Sequence, residues 1–191
     1  NIVAIGEVPH GKMLTRAGAK AGDDVWVTGT IGDAALGLKA LKEALQLSEQ
    51  HRKAVVARFN VPEPKPHLGQ RLIGLAHACL DISDGLIADV GHIAAASNVS
   101  IRIRAHDVPL SAAAKAALDK GVSLIDLVTG GDDYELAFTA PAAARPRLKA
   151  LSRDTATPLT RIGEVEKGRG VILLDKNGNP VPYGRAGYTH F

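Results

Sequence analysis

The pattern of apolar and polar residues predicts a chain in which strands and helices are mixed. Short apolar or alternating runs predict strands at 2–6, 25–28, 78–80, 99–104, 136–139, 158–165 and 171–174. Apolar residues at helical spacing predict helices at 34–45, 48–59, 67–78, 86–94, 111–118, 123–128 and 142–151. Because this order is not the strict alternation of a parallel doubly wound sheet, we predict a single α/β or α+β domain with a mixed sheet.

A proline-rich stretch separates the second and third predicted helices. Prolines at every second position from Pro62 to Pro66 stiffen it into an extended form. Too little chain lies on either side for this to be a linker, so we expect a loop within one domain.

The sequence Asp81-Ile82-Ser83-Asp84-Gly85 leads from an apolar segment directly into the helix that begins near residue 86. Ser83 or Asp84 is suited to cap that helix, with Gly85 in its first turn. Two carboxylates three positions apart are suited to share a divalent metal, and the Ser83 hydroxyl with the free N–H groups of the helix start is suited to hold a phosphate oxygen. A plain helix cap beside a solvated Asp explains the same residues equally well.

A second acidic turn, Gly130-Gly131-Asp132-Asp133-Tyr134-Glu135, precedes the strand predicted at 136–139. Its glycine pair allows a tight turn that backbone and ligand can approach closely. Its three carboxylates repel one another unless cations or hydrogen-bond donors neutralise them. A solvated turn is the alternative, but two acidic, glycine-containing turns in one small chain favour a shared Mg²⁺ and phosphate site.

Two further glycine-containing stretches are less informative. The turn from Thr28 to Asp33 opens a helix and suits either an anion or simple packing. The stretch from Gly6 to Met13 nearly spells a P-loop, but Met13 replaces the hydroxyl that should reach Mg²⁺ and no convincing helix follows before Gly18. We therefore reject it as a phosphate-binding loop.

Composition bears on which partners the protein binds and on where it is located. Lys and Arg exceed Asp and Glu by 23 to 20 without any basic block, so we predict no nucleic-acid partner. No apolar run approaches membrane-spanning length, and no targeting segment is recognisable, which predicts a cytoplasmic protein without membrane contact. A single cysteine, Cys79, excludes an intrachain disulfide and is expected to be a buried structural thiol. Seven scattered histidines predict no zinc site.

The chain begins at Asn1 within a predicted strand, so we expect its natural N-terminus to lie further upstream.

Several segments together resemble the thiamine-monophosphate kinase family, of the aminoimidazole-ribonucleotide synthetase (PurM)-like superfamily. They are DISDGLIADVGHIAAAS, GGDDYELAFT, GKMLTRAGAKAG, VTGTIGD and the ending GYTHF, and they follow one another in order over nearly the whole chain. The resemblance implies a PurM C-terminal-domain-like fold for 1–191, with 1–24 as inter-domain strand and glycine-rich loop and 25–191 as core. It also implies that a preceding domain, which carries ATP and Mg²⁺ contacts, is absent.

The resemblance further implies transfer of the ATP γ-phosphoryl group to the phosphate of thiamine monophosphate, with Mg²⁺ as cofactor and ATP as co-substrate. Carried over by position, the implied contacts are Asp81 and Asp84 to Mg²⁺, Arg16 and Ser83 to ATP, and Asp132 with Arg185 or Tyr188 to the thiamine substrate. Many relatives have Glu where Asp132 stands. No residue is assigned as a catalytic base, because a phosphate oxygen is already a nucleophile at neutral pH.

Two consequences and three alternatives accompany this prediction. The chain is expected to hold half a site with little activity alone, and the full-length protein to form a homodimer through the missing domain. Another superfamily member, such as selenophosphate synthetase or aminoimidazole-ribonucleotide synthetase, is an alternative that the GGDDYEL and GYTHF segments disfavour. A non-catalytic nucleotide- or thiamine-phosphate-binding module is a second, and a nucleic-acid binder the weakest.

Overall fold

Six strands form one mixed sheet in the computed structural model, which describes residue 3 and residues 5–187. The strands are β1 Asp23–Thr28, β2 Ala78–Asp81, β3 Ser100–Arg104, β4 Leu136–Pro141, β5 Leu159–Glu166 and β6 Gly170–Leu174. They lie side by side in the order β2-β4-β1-β5-β3-β6. All neighbours are antiparallel except β3 and β6, which confirms the prediction of a mixed sheet.

Seven α-helices accompany the sheet in the described part of the chain. They are α1 Asp33–Leu41, α2 Glu49–Asn60, α3 Pro66–Leu72, α4 Leu86–Ser97, α5 Ala112–Asp119, α6 Leu124–Val128 and α7 Arg145–Asp154, with 3-10 turns at Ala105–Asp107 and Ala142–Ala144. Ser48, Ser111 and Ser123 cap α2, α5 and α6, because each hydroxyl accepts a backbone N–H of the first turn. No helix among the described residues has the length and apolar character needed to cross a bilayer.

Helices cover both faces of the sheet. Successive side chains of a strand point to opposite faces, so Val25 and Val27 of β1 join the cluster that contains the apolar side of α4. Trp26 faces the other way and stacks on Phe138 with ring centroids 6.4 Å apart. There it joins the cluster that contains leucines of α3 and α7. A third cluster packs α1, α2, α5 and α6 together.

Cys79 of β2 belongs to the same side as Trp26. It is half-buried against the cluster of α3 and α7, in keeping with the predicted structural thiol. Burial, and then the neighbouring charge of Asp81, raises the pKa of its thiol to about 12.

Three predicted elements need correction. The helix predicted at 34–45 ends at Leu41, because Glu43 adopts a left-handed backbone, although Leu45 still packs on the helical cluster. The helix predicted at 67–78 ends at Leu72, and Gly74 at φ +78° turns the chain toward β2. Of the strand predicted at 2–6, residues 3, 5 and 6 belong to no strand and residues 2 and 4 lie outside the described part.

Candidate active site

The two acidic turns lie side by side and are joined through their backbones. They continue the pairing of β2 with β4 beyond the sheet: the N–H of Ile82 donates to the Glu135 carbonyl at 2.8 Å and that of Tyr134 to the Ile82 carbonyl at 2.8 Å. The N–H of Asp132 donates to the Ser83 carbonyl at 2.9 Å. The proximity that the sequence suggested for the two turns is therefore present.

Glycines make this contact possible. A Cβ at Gly131 would lie 2.3 Å from the Ser83 carbonyl oxygen. Gly85 has φ +122°, and a Cβ there would lie 2.8 Å from the Thr129 carbonyl carbon and oxygen. We predicted that the glycine pair leaves room for a ligand; at Gly131 that room is occupied by the neighbouring turn.

The predicted cap of α4 is wrong. The helix begins at Leu86, Gly85 is the residue before it, and no side chain caps its first turn. Instead Asp89, which lies within α4 and is only 4% exposed, turns back toward the preceding residues. Its Oδ2 accepts the N–H groups of Ser83, Asp84 and Gly85 at 2.9, 2.9 and 3.1 Å. This carboxylate therefore occupies the N–H groups of the three residues that precede the helix, and burial raises its pKa against the opposing effect of the amides.

The start of α1 is filled in a similar way. Asp133 is buried, and its carboxylate accepts the N–H of Gly32 at 2.7 Å and that of Ala34 at 3.2 Å. Burial raises the pKa of Asp133 to about 7, although the two amides oppose the shift. Of the two interpretations of the turn from Thr28 to Asp33, this contact favours packing over phosphate binding.

Glu135 is the other inward-facing carboxylate of the second turn. It is 2% exposed, accepts a hydrogen bond from the Thr28 hydroxyl and pairs with an Arg58 guanidinium nitrogen at 2.8 Å. The Lys65 ammonium of the proline-rich loop lies 3.9 Å away. Asp133 and Glu135 are thus both buried and hydrogen-bonded to donors of the chain, which leaves Asp132 as the carboxylate of this turn that lines a cleft.

That cleft has a volume of about 990 Å³ and collects polar groups from both turns and from the C-terminal segment. Its polar lining includes Ser83, Asp84, Asp132, Tyr134 and Arg185, and its apolar wall includes Ala34, Ala35 and Leu38 of α1 together with Phe59 of α2. Gly187 is buried at the edge of the first turn, where a Cβ would lie 2.5 Å from the Asp84 carbonyl oxygen. This close contact brings Arg185, two residues earlier, to the cleft.

Negative charge is concentrated around Tyr134. This residue is 39% exposed, has φ +50°, and its hydroxyl donates to an Asp132 carboxylate oxygen at 3.4 Å. Desolvation raises the pKa of Tyr134, followed by the charge of Asp132 and by smaller effects of Asp81 and Asp84. The charges of Asp81, Asp84 and Asp132, the three carboxylates assigned to metal and substrate, therefore all raise the pKa of Tyr134.

The remaining predicted site residues lie at different places. Asp81 is exposed at the end of β2. Arg16 is exposed in the glycine-rich loop and does not line the cleft; this loop runs along β2, because the N–H of Cys79 donates to the Thr15 carbonyl at 2.9 Å. Tyr188 lies outside the described residues.

Sequence reasoning missed Asp89 and His92 of α4. Ligand atoms of Asp84, Asp89 and His92 all lie within 4.8 Å of one another, which makes this trio a possible metal-binding group in the described part of the chain. A signal for Asp89 was present: it occupies the same helical face as Leu86 and Ile93, and a carboxylate on an apolar face needs a partner.

The fold and this pair of turns place the chain in a known class: it belongs to the family described as AIR synthase related protein, C-terminal domain, whose sequence model matches residues 20–176. Curated relatives include the thiamine-monophosphate kinases of Salmonella typhimurium, 39% identical over 97% of this chain, and of Aquifex aeolicus, 34% identical over 100% of it. The chain spans 58% of the length of each.

Solved structures agree with this assignment. Thiamine-monophosphate kinase from Stenotrophomonas maltophilia K279a matches 91% of this chain and 56% of its own with a TM-score of 0.80 at 39% identity. A structure described as AaThiL complexed with AMPPCP and TMP matches 93% of this chain and 54% of its own with a TM-score of 0.77 at 34% identity. E. coli HypE, a hydrogenase maturation protein, shares the fold at a TM-score of 0.69 and 21% identity. The predicted PurM-like fold and family resemblance are confirmed.

Proposed function

We propose that this chain is the substrate-binding part of a kinase that transfers the γ-phosphoryl group of ATP to thiamine monophosphate and so forms thiamine diphosphate. The observation that carries the proposal is the backbone pairing of the two acidic turns, which puts Ser83, Asp84 and Asp132 on one cleft with Arg185. The similarity to thiamine-monophosphate kinases, including a structure complexed with AMPPCP and TMP, supports it.

The donor set fits Mg²⁺. Mg²⁺ prefers carboxylate oxygens and is usually bound through one or two carboxylates plus substrate phosphates. Asp84 lines the cleft, and Asp81 lies at the end of the adjoining strand. The charges of both, with that of Asp132, raise the pKa of Tyr134. When bound, Mg²⁺ neutralises charge on the phosphates, which this reaction needs because nucleophile and electrophile are both anionic.

The groups that line the cleft suit the two parts of thiamine monophosphate. The Asp132 carboxylate would pair with the cationic ring system, and the apolar wall formed by α1 and Phe59 would provide a surface for the rings. Arg185 presents a planar donor that suits a phosphate group. Ser83 and Arg16 are assigned to ATP, and Tyr188 to stacking on the thiamine rings, by their positions in the sequence alone.

Since the chain spans 58% of its relatives' length, we also propose that a preceding domain supplies the remaining ATP and Mg²⁺ contacts and the dimer interface. In that case the 191-residue chain has little or no activity alone. We place the complete enzyme in the cytoplasm.

The test measures thiamine diphosphate formed by the full-length protein from Mg-ATP and thiamine monophosphate. Asp84→Asn is expected to lower the rate by about 100-fold or more, since it removes a proposed metal ligand. Asp119→Asn, at an exposed position at the end of α5, is the matched control and should keep the full rate. A folded, ATP-binding full-length protein that makes no thiamine diphosphate would refute the thiamine assignment and direct the search to other phosphoryl acceptors.

A further inference from the structure

A buried carboxylate outside the cleft lining holds the backbone of the first acidic turn. Oδ2 of Asp89 accepts three consecutive N–H groups, those of Ser83, Asp84 and Gly85. Asp89 does not line the cleft, whereas Ser83 and Asp84 do. The carboxylate and the cleft are therefore linked through the backbone of the turn.

This arrangement satisfies both the N–H groups of the turn and the buried carboxylate. The N–H groups that precede and open a helix have no partner within it, and here Asp89 accepts three of those that precede it. A buried carboxylate is costly unless hydrogen bonds compensate it, and bonds from backbone N–H groups to an ionised oxygen are among the stronger ones in proteins. Each group satisfies the other, so the turn has a fixed conformation before any ligand arrives.

Three further contacts hold the turn, and they come from the second acidic turn, from Thr129 and from Gly187. The Ser83 carbonyl accepts the Asp132 N–H, Gly85 packs against the Thr129 carbonyl, and Gly187 packs against the Asp84 carbonyl. Two of these contacts involve carbonyls of the turn, those of Ser83 and Asp84, whereas Asp89 alone is seen to fix the N–H groups of residues 83–85 in the described structure. Loss of Asp89 should therefore loosen the turn without unfolding the domain.

We propose that Asp89 is a positioning residue, which aligns the Ser83–Asp84 backbone so that both side chains face the cleft in the geometry required for metal and nucleotide. This inference rests on the proposed function. It gives this carboxylate a role without direct contact to substrate.

The experiment compares Asp89→Ala and Asp89→Asn in the full-length protein. The Asn side chain retains an oxygen that can accept the same N–H groups, but it lacks the charge. Asp24→Asn is the matched control, because Asp24 is a buried carboxylate with three hydrogen bonds from Arg145 and Arg161 and does not line the cleft.

Two quantities are measured. Amide hydrogen exchange in peptides that span residues 82–86, without nucleotide or metal, reports on the turn itself. The Mg²⁺ concentration that half-saturates thiamine diphosphate formation reports on the site. We expect Asp89→Ala to accelerate exchange and to raise the Mg²⁺ requirement, each by about tenfold or more, whereas Asp89→Asn stays within about threefold of wild type. Asp24→Asn should lower the melting temperature and change neither quantity.

Three results would overturn the inference. They are unchanged exchange in Asp89→Ala, an unchanged Mg²⁺ requirement despite faster exchange, and an Asp89→Asn variant as impaired as Asp89→Ala. The last would show that the charge of Asp89, for instance as a metal ligand with Asp84 and His92, matters more than its hydrogen bonds. If no variant and no wild-type protein makes thiamine diphosphate, the proposed function fails, while the exchange experiment still decides whether Asp89 holds the turn.

Discussion

The two acidic turns differ in where their supporting contacts come from. The turn at 81–85 is held by Asp89, four residues after Gly85 and in the helix that the turn opens. The turn at 130–135 is held through the carboxylates of Asp133 and Glu135, whose partners lie 70 to 107 residues away in sequence. The N–H groups of the first turn are thus held by a local contact, whereas the buried carboxylates of the second turn depend on distant segments.

In both turns, burial separates carboxylates that support the structure from those that line the cleft. Asp89, Asp133 and Glu135 are each at most 4% exposed and bonded to donors of the chain, whereas Asp84 and Asp132 reach the cleft. The number of acidic residues in a turn is therefore a poor measure of its metal-binding capacity. The comparison also predicts that substitutions in the second turn cost global stability, whereas loss of Asp89 acts mainly on the site.

The largest effect on stability is expected for Glu135→Ala. The substitution leaves Arg58 and Lys65 without their buried partner and removes an acceptor of the Thr28 hydroxyl. Breaking a buried ion pair typically costs 3–5 kcal/mol, and because the Arg58 side chain is 21% exposed we expect a loss of about 3 kcal/mol in the free energy of unfolding. Urea denaturation measures it.

Glu164→Ala is the control for Glu135, since Glu164 is exposed on β5. It should change the free energy of unfolding by less than about 0.5 kcal/mol. A loss below about 1 kcal/mol for Glu135→Ala would contradict the view that the second turn depends on its distant partners.

A smaller effect is expected where the two turns touch. In Gly131→Ala the new methyl group would lie 2.3 Å from the Ser83 carbonyl oxygen, so the turns must move apart. We expect a loss of about 2 kcal/mol, in the range of overpacking substitutions, together with loss of kinase activity in the full-length protein. Equal stability and activity in Gly131→Ala would mean that contact between the turns is not required.

Gly69→Ala replaces a glycine that, unlike Gly131, has no close backbone contact. Gly69 lies within α3, and the nearest atom to a Cβ there is Leu136 Cδ1 at 4.0 Å. Without a clash, the better helix former should raise the free energy of unfolding by about 0.5–1 kcal/mol. The pair of glycine variants thus separates the effect of close backbone contact from the general effect of replacing glycine.

The same contrast between local and distant contacts explains what the sequence predicted well. Strand and helix positions follow from local periodicity, so most of them were close to correct; α2, α5 and α6, for example, begin directly after their predicted first residues. The cap of α4 was predicted wrongly, because several suitable side chains compete near Gly85 and the carboxylate that fills the place comes from inside the helix.

Contacts between segments far apart in sequence leave no such local signal. Nothing near Asp133 indicates that it accepts N–H groups of Gly32 and Ala34, which are about 100 residues earlier. Its neighbour Asp132 has the same side chain, yet it lines the cleft. The family resemblance could assign Asp132 by position, but only the packed structure distinguishes the two environments.

The smallest effect concerns the pH dependence of stability. Burial raises the pKa of Asp133 to about 7 in the folded state from an ordinary value of 3.8. Between these values the folded protein keeps a proton that the unfolded chain loses, so the contribution of Asp133 is full below pH 3.8 and is lost as the pH rises through 7. The free energy of unfolding, measured by urea denaturation from pH 3 to 8, should therefore decrease more steeply across this window in wild type than in Asp133→Asn.

Asp24 at the start of β1 sharpens this test because its shift has the opposite sign. Burial favours the neutral acid, but hydrogen bonds and charges of Arg145 and Arg161 together outweigh it and lower the pKa of Asp24. Its contribution is therefore present above pH 3.8 and is lost on acidification below it. Subtracting each variant's curve from that of wild type should give a difference that falls with pH for Asp133→Asn and rises with pH for Asp24→Asn. Two differences of the same sign would contradict this contrast, in which burial outweighs the amides at Asp133 but the arginines outweigh burial at Asp24.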